Sequence, residues 1–445
     1  MTDHTTNGPR VSRRRVLAGT GGTAGFLLLA GCVEDIDDGD DGEPAGADDE
    51  GADDVETDDT DEADDTDADD GEAYVIGMVD SLTGSLAPYG ERNQAGLELA
   101  LEDVNAAGVG PDDRELEVIV EDSETRNEAG VSAAQRLVQQ EGVPILIAAV
   151  GSGVSMAIHD SVVEDADVVQ ISQNSTGAVL SEAPDLLRTS PSGAAKGAAL
   201  ADLIAEEGHD SVAVTWVNND YGLSLSEVFE SEFDGEVAYN EPHEEGDASY
   251  SGELSEMADS GADAWLFITY ADEFIVFVNE AFDQGYHEEF RYYGAESTIA
   301  DTILENTEPG SHDGMMGVTE SAPLDQESYQ EFESRFEEEF GETPTVWSAY
   351  TYDAITLSAI AIEAAGEFDA AAIEEVIRDV TRPEGEEVFS FEEAKEVLAD
   401  GGPDDVDYQG VSGPIDLDEN GDPTGFYQIY SVEDHEYAYG EFLEG

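Results

Sequence analysis

The chain has 445 residues, 108 Asp and Glu against 15 Lys and Arg, a formal net charge of −93 and one cysteine. That leaves too little cation for a nucleic-acid-binding face, no second cysteine for a disulfide framework and no cysteine cluster for zinc. A single short apolar run excludes a polytopic membrane protein, and the length favours two lobes over one core.

Residues 1–31 read as a targeting segment. Ser12-Arg13-Arg14-Arg15-Val16-Leu17 is a twin-arginine pattern, and a weakly apolar run follows from Val16 to Ala30. The run is about 15 residues long, short of the roughly 20 that a spanning helix needs. Leu29-Ala30-Gly31-Cys32 resembles a lipobox, which makes Cys32 the expected lipidation site and the twin arginines a Tat-type export signal. The rival fate of a lone cysteine is burial in a core, but Cys32 opens onto a hyperacidic tract. Gly19, Gly21, Gly22 and Gly25 imitate a phosphate loop without the strand that such a loop follows. Residues 33–72 hold 23 acidic residues in 40 and no Lys or Arg. Such a segment cannot bury enough apolar surface to offset its ordering entropy, so 32–72 is expected to be an extended, disordered tether.

From residue 73 onward β-type runs alternate with amphipathic helical stretches. Strands are expected at 74–79, 116–120, 144–150 and 168–172. Helices are expected at 91–107 with Gly108 as a stop, at 127–141 capped by Asn127, and from about 155. The order then restarts: helix 193–207, strand 212–217, helix 222–233, strand 264–269, helix 273–284 and strand 291–293. Further helices fall near 326–340, 347–365, 370–379 and 391–399, and the end is β-rich at 413–417 and 425–430. This βαβα order implies parallel sheets with helices on both faces. Two such α/β units side by side imply a cleft, with ligands beyond the carboxyl ends of strands. Residues 73–445 still carry 84 acidic against 11 basic residues, with Lys196 and Lys395 as the only lysines. Self-repulsion of that size destabilises a fold at low salt and is screened in molar salt, where the Debye length is about 3 Å. The surface chemistry resembles that of haloarchaeal proteins and reports the solvent more than the ligand.

The stretches Ser81-Leu82-Thr83-Gly84-Ser85-Leu86-Ala87-Pro88-Tyr89-Gly90, Gly96 to Asn105, Gly151-Ser152, Asn174-Ser175-Thr176, Asn219-Asp220-Tyr221-Gly222, Tyr270 after a strand, Gly294-Ala295-Glu296, and Gly413-Pro414 with Asp418 to Gly425 occur in a characteristic order. Together they resemble the substrate-binding proteins of branched-chain amino acid ABC transporters, over nearly all of 74–432. The resemblance implies a type I periplasmic-binding fold: two doubly wound parallel-sheet lobes joined by a three-segment hinge, with the ligand cleft between them. Crossovers are expected near 189–192, 319–323 and 414–417. Lobe 1 is then 74–190 with 321–414, and lobe 2 is 191–320 with 415–445. Closure is a hinge motion over the ligand.

An α-amino acid needs a carboxylate clamp, an ammonium acceptor and a side-chain pocket. Ser152, Ser175 and Thr176 follow strands and offer hydroxyls and amides to a carboxylate; otherwise they are an N-cap residue and a polar loop. Glu296 is the expected ammonium partner. Tyr89, Tyr221 and Tyr270 are expected to frame the pocket, with Val150 against the ligand side chain. Asp416-X-Asp418-X-Asn420-Gly421 imitates half a calcium loop, but position twelve is Tyr427 and flanking helices are missing, so a hairpin turn is expected. The hydrolase elbow around Ser152 is absent, and the seven histidines show no metal spacing. The resemblance therefore implies a non-enzymatic receptor with no cofactor and no metal. It takes a small amino acid, branched-chain first, to an ABC permease. It is monomeric, held to the outer face of the membrane through Cys32, and has no nucleic-acid partner. A sensory ligand-binding module, a receptor for urea or short amides, and an exported hydrolase are the alternatives.

Overall fold

A computed structural model describes residues 72–444; the targeting segment, Cys32 and the acidic tract up to residue 71 lie outside them. The chain begins with β1 (Tyr74–Asp80), α1 (Ala87–Ala107), β2 (Leu116–Asp122), α2 (Asn127–Arg136), β3 (Ile145–Ala148), α3 (Ser152–Ile158), β4 (Val169–Ser172) and β5 (Leu186–Arg188). These strands form one parallel sheet in the order β2-β1-β3-β4-β5. Ile145 to Ala148 is buried at every position, as a central strand covered on both faces must be. Gly108 ends α1 with φ 70°, and the Asn105 side chain both donates to Leu116 O and accepts from Leu116 N–H at 2.7 Å. That one side chain fastens the helix end to the start of β2. Asn127 is the first residue of α2 and makes no side-chain cap; Arg126 occupies the cap position.

The second run comprises α4 (Gly193–Glu206), β6 (Ser211–Val217), α5 (Asp220–Glu232), β7 (Glu236–His243), α6 (Ser251–Asp259), β8 (Ala264–Ile268), α7 (Ala271–Gln284), β9 (Arg291–Gly294), α8 (Asp301–Asn306) and β10 (Met316–Ser321). Next come α9 (Glu327–Phe340), α10 (Val346–Ala365), α11 (Ala370–Ile377), β11 (Glu386–Val388), α12 (Phe391–Asp400), β12 (Val406–Tyr408), β13 (Phe426–Glu433) and β14 (Glu436–Glu444). The second sheet runs β14-β13-β10-β9-β8-β6-β7. Its β6 to β10 core is parallel, but β13 lies antiparallel to β10, and β14 antiparallel to β13. The short two-residue turn at Asp434-His435 permits only an antiparallel pair.

Helix α10 returns to the first sheet. It is buried along nearly its whole length and joins the core of β1, β3 and α1. Gly96 of α1 makes room for it: a Cβ there would lie 2.3 Å from Ser348 O. The chain thus crosses between the sheets after Arg188, again after Ser321, and a third time between Tyr408 and Phe426. No strand forms at 413–417. Asp418 instead folds the third crossover, accepting from the amides of Asn420 and Asp422. The imitation calcium loop is therefore a turn within a crossover, not a hairpin. Among the described residues no helix is long and apolar enough to cross a membrane.

Candidate functional site

The carboxyl ends of β3 and β4 face those of β6, β8 and β9 across a small cavity, about 340 Å³ counting its open mouth. Leu86, Tyr89, Val150, Gly151, Ser152, Asn174, Thr176 and Trp347 line it from the first sheet's side. Tyr221, Tyr270, Glu296 and Ser297 line it from the second. A wider groove, about 1860 Å³ counted in the same way, lies between α1, α9 and α12 and is a surface feature away from these strand ends.

On the first wall, Gly151 has φ 90° and turns the chain from β3 into α3. A side chain is strained in that conformation. The turn leaves the first amides of α3 without intrahelical partners and sets Ser152 at the cavity. Gly177 N–H donates to Ser152 Oγ at 2.9 Å, so this hydroxyl is fixed by a backbone amide and not by a histidine. Asp80, at the end of β1, accepts from Asn93, and Asn93 Oδ1 accepts from Asn174 Nδ2 at 2.8 Å. Burial pushes the Asp80 carboxyl up to about 6, against three donors that pull it down. Arg188, fully buried, donates to the carbonyls of Ser175 and Gly177 and to Asp422 Oδ1 at 2.6 Å. It ties the Asn174–Gly177 loop to the third crossover.

Ser175 is the exception among the expected site residues, because it does not line the cavity. Its hydroxyl meets Ser155 Oγ at 2.8 Å and Ala149 O at 3.0 Å. Consecutive residues of an extended loop point opposite ways, so Thr176 reaches the cavity and Ser175 cross-links β3, α3 and β4. Tyr89, Val150, Ser152, Thr176, Tyr221, Tyr270 and Glu296 are all brought together.

On the second wall, Asn219 caps α5 by accepting from Gly222 N–H and donates to Tyr270 OH at 3.0 Å. Tyr221 and Tyr270 stack, with ring centroids 5.8 Å apart, and Tyr221 OH meets Ser297 Oγ at 2.9 Å. Tyr89 stands edge-on to Trp347 at 5.3 Å. Burial, together with the Glu296 charge, holds the Tyr89 and Tyr221 hydroxyls neutral.

Behind this wall is a feature that the pattern reading missed. Lys196 of α4 is fully buried and donates to Glu296 Oε2 at 2.5 Å and to Glu320 Oε1 at 2.7 Å, with Thr176 Oγ1 at 3.4 Å. Burial works against its charge, yet the two carboxylates outweigh burial and raise the ammonium above its ordinary range. Burial pushes the Glu320 carboxyl up to about 7; Lys196 opposes this and Glu296 adds to it. A signal was present. Lys196 stands at the spacing of Leu200 and Leu203, on the buried face of α4, where a lysine needs a partner. Glu320 and Trp347 carried no comparable mark.

The periplasmic binding protein family model matches residues 73–398. The leucine-, isoleucine-, valine-, threonine- and alanine-binding protein of Pseudomonas aeruginosa is 25% identical over 68% of this chain and 81% of its own. The chemotactic signal transduction system substrate-binding protein BasB of Halobacterium salinarum is 21% identical over 82% of this chain and 88% of its own. The leucine-binding protein of Thermotoga maritima matches 83% of this chain and 99% of its own at 23% identity and a TM-score of 0.71. A solute-binding protein of an ABC transporter from R. palustris, in complex with benzoate, matches 83% of this chain and 96% of its own at 20% identity and a TM-score of 0.67. With two α/β sheets, three crossovers and a cleft at the strand ends, the chain belongs to the periplasmic binding protein family.

Proposed function

We propose that this solute-binding protein captures a small amino acid, with branched-chain side chains first, and delivers it to an ABC permease. The observation that carries this reading is the asymmetry of the cleft. One wall offers hydroxyls and unpartnered amides to a carboxylate; the other offers Glu296, whose Oε1 has no donor among the described residues. Tyr89, Tyr221, Tyr270 and Trp347 supply apolar faces for a side chain between them. A hinge motion at the three crossovers admits and encloses the ligand. The twin-arginine segment and Cys32 make it an exported protein, lipid-anchored to the outer face of the membrane. It has no catalytic role.

The test is a thermal-shift screen in molar NaCl against the twenty amino acids, urea, short amides and benzoate. A ligand at 100 times its dissociation constant stabilises the native state by about 2.7 kcal/mol. A shift with leucine, isoleucine or valine supports the reading; a shift only with urea, amides or benzoate overturns it. A sensory role is the second reading, favoured by the likeness to BasB. Deleting the gene separates the two: loss of uptake marks a transport receptor, and loss of chemotaxis with uptake intact marks a sensor.

A further inference from the structure

The buried charges of the cleft do not balance. Lys196 faces two carboxylates, Glu296 and Glu320, and among the described residues no other basic group ion-pairs with either. Two buried carboxylates elsewhere are compensated, whereas Glu273, which does not line the cavity, also keeps an oxygen without a donor. Asp422 pairs one-to-one with Arg188. Asp353 accepts from the amides of Val411 and Ser412 and the hydroxyls of Ser412 and Tyr408. Glu320, in contrast, has one oxygen on Lys196 and a second, Oε2, buried without a donor. An uncompensated buried charge is costly, and this one adjoins the cavity where a ligand enters.

We propose that Glu320 is the dedicated counter-ion of Lys196, leaving the charge of Glu296 to a ligand ammonium, and that this pair makes the cleft select amino acids over the corresponding simple carboxylic acids. The proposal rests on the amino-acid reading above. Without Glu320, Lys196 neutralises Glu296, and an incoming ammonium meets no net charge. Without Lys196, two carboxylates face each other in a buried space. Removing both charges restores a single negative charge on Glu296. Neither Lys196 nor Glu320 lines the cavity, so both are positioning residues, and Lys196 reaches both walls through Thr176 and Glu296.

The test is isothermal titration of the full-length chain at pH 8 in molar NaCl, with three matched pairs: L-leucine and 4-methylpentanoate, L-alanine and propanoate, L-phenylalanine and 3-phenylpropanoate. The readout is the affinity ratio within a pair, which a merely structural role does not move. The wild type is expected to prefer the amino acid of at least one pair. Glu320→Gln, nearly isosteric, is expected to shrink that ratio by about tenfold or more, the scale of a hydrogen bond to a charged group. Lys196→Met with Glu320→Gln is expected to recover it. An unchanged ratio in Glu320→Gln, or a double variant that falls below both singles, overturns the proposal. If Lys196→Met alone does not fold, Glu320→Gln still decides. If the wild type binds no amino acid of the panel, the amino-acid reading fails first and the proposal falls with it.

Discussion

The acidic surface and the cleft use charge in opposite ways. Residues 73–445 hold 84 acidic residues against 11 basic ones, most of them at the surface, where most carboxylates have no counter-ion beyond salt. In the cleft, three buried charges are held at fixed distances by one another. Surface charge is weakened by screening, whereas buried charge is not. The first therefore reflects the solvent in which the chain folds, and the second reflects the ligand that it holds. Net charge alone conflates the two, and most of the −93 carries no information about the site.

The comparison breaks most visibly with salt. On dilution from molar NaCl to about 10 mM, where the Debye length is about 30 Å, the fold is expected to be lost, as read by circular dichroism. An unchanged spectrum would mean that the surface charge is tolerated without screening. Next in size is Glu296→Gln, which removes the charge that meets the ammonium and leaves Lys196 to Glu320. A loss of about 2–3 kcal/mol, roughly 30- to 150-fold in affinity, is expected with the fold intact. Equal affinity for leucine in that variant, by titration, would remove Glu296 from the site. Tyr221→Ala takes away a ring stacked on Tyr270 and a hydroxyl bonded to Ser297. About 1–2 kcal/mol of binding is expected to go with it, and a change in fold stability without a change in affinity would mark it as core.

The fold was legible because periodicity is a local signal. Ile145 to Ala148 is a continuous apolar run, and Gly108 and Asn105 mark where α1 stops. The third crossover was expected near 414–417, but its form was not legible: Ile415 and Leu417 alternate as a strand does, yet the single bond from Ile415 N–H to Tyr408 O does not make a ladder. In the site, the Asn219 to Gly222 stretch identified Tyr221, because it falls at a strand-to-helix loop, where the structure adds a cap at Asn219 and a close-packed glycine at 222. A Cβ at Gly222 would lie 2.1 Å from Val217 O. Ser175 and Thr176 looked equivalent as letters, and only the direction of each side chain separates them. Lys196 was readable as a lone lysine on an apolar face. Its partners were not, since Glu320 comes from 124 residues away and one glutamate among so many has no mark of its own.

The smallest expected effect is with pH, and it sharpens the contrast because it comes from one buried group. Glu320 is faced by Lys196 from α4, Glu296 from the turn after β9, Tyr350 from α10, Tyr427 from β13, and Tyr221 and Tyr89 from α5 and α1. Burial keeps those tyrosines neutral, so Glu320, ionising at about 7, is the group expected to change charge between pH 6 and 8. Below 7 it is neutral and Lys196 neutralises Glu296; above 7 it is charged, the two carboxylates share Lys196, and a net negative charge remains for the ligand. A ligand ammonium favours the charged form, so binding lowers this ionisation, releases protons and strengthens as pH rises. A shift of half to one pH unit corresponds to about threefold to tenfold in affinity. Stability of the unliganded protein runs the other way. A carboxyl raised in the folded state above its unfolded value of 4.5 costs stability once ionised. That cost is present above 7 and is lost as pH falls toward 4.5. Asp80 and Asp353, pushed up to about 6 by burial, add with the same sign. Titrations at pH 7 in two buffers of different ionisation enthalpy measure the proton release directly. Glu320→Gln is expected to abolish it, while leaving the pH dependence of stability that Asp80 and Asp353 contribute. Proton release that persists in that variant would assign the linkage to another group and sever the tie between the buried charge and the ligand.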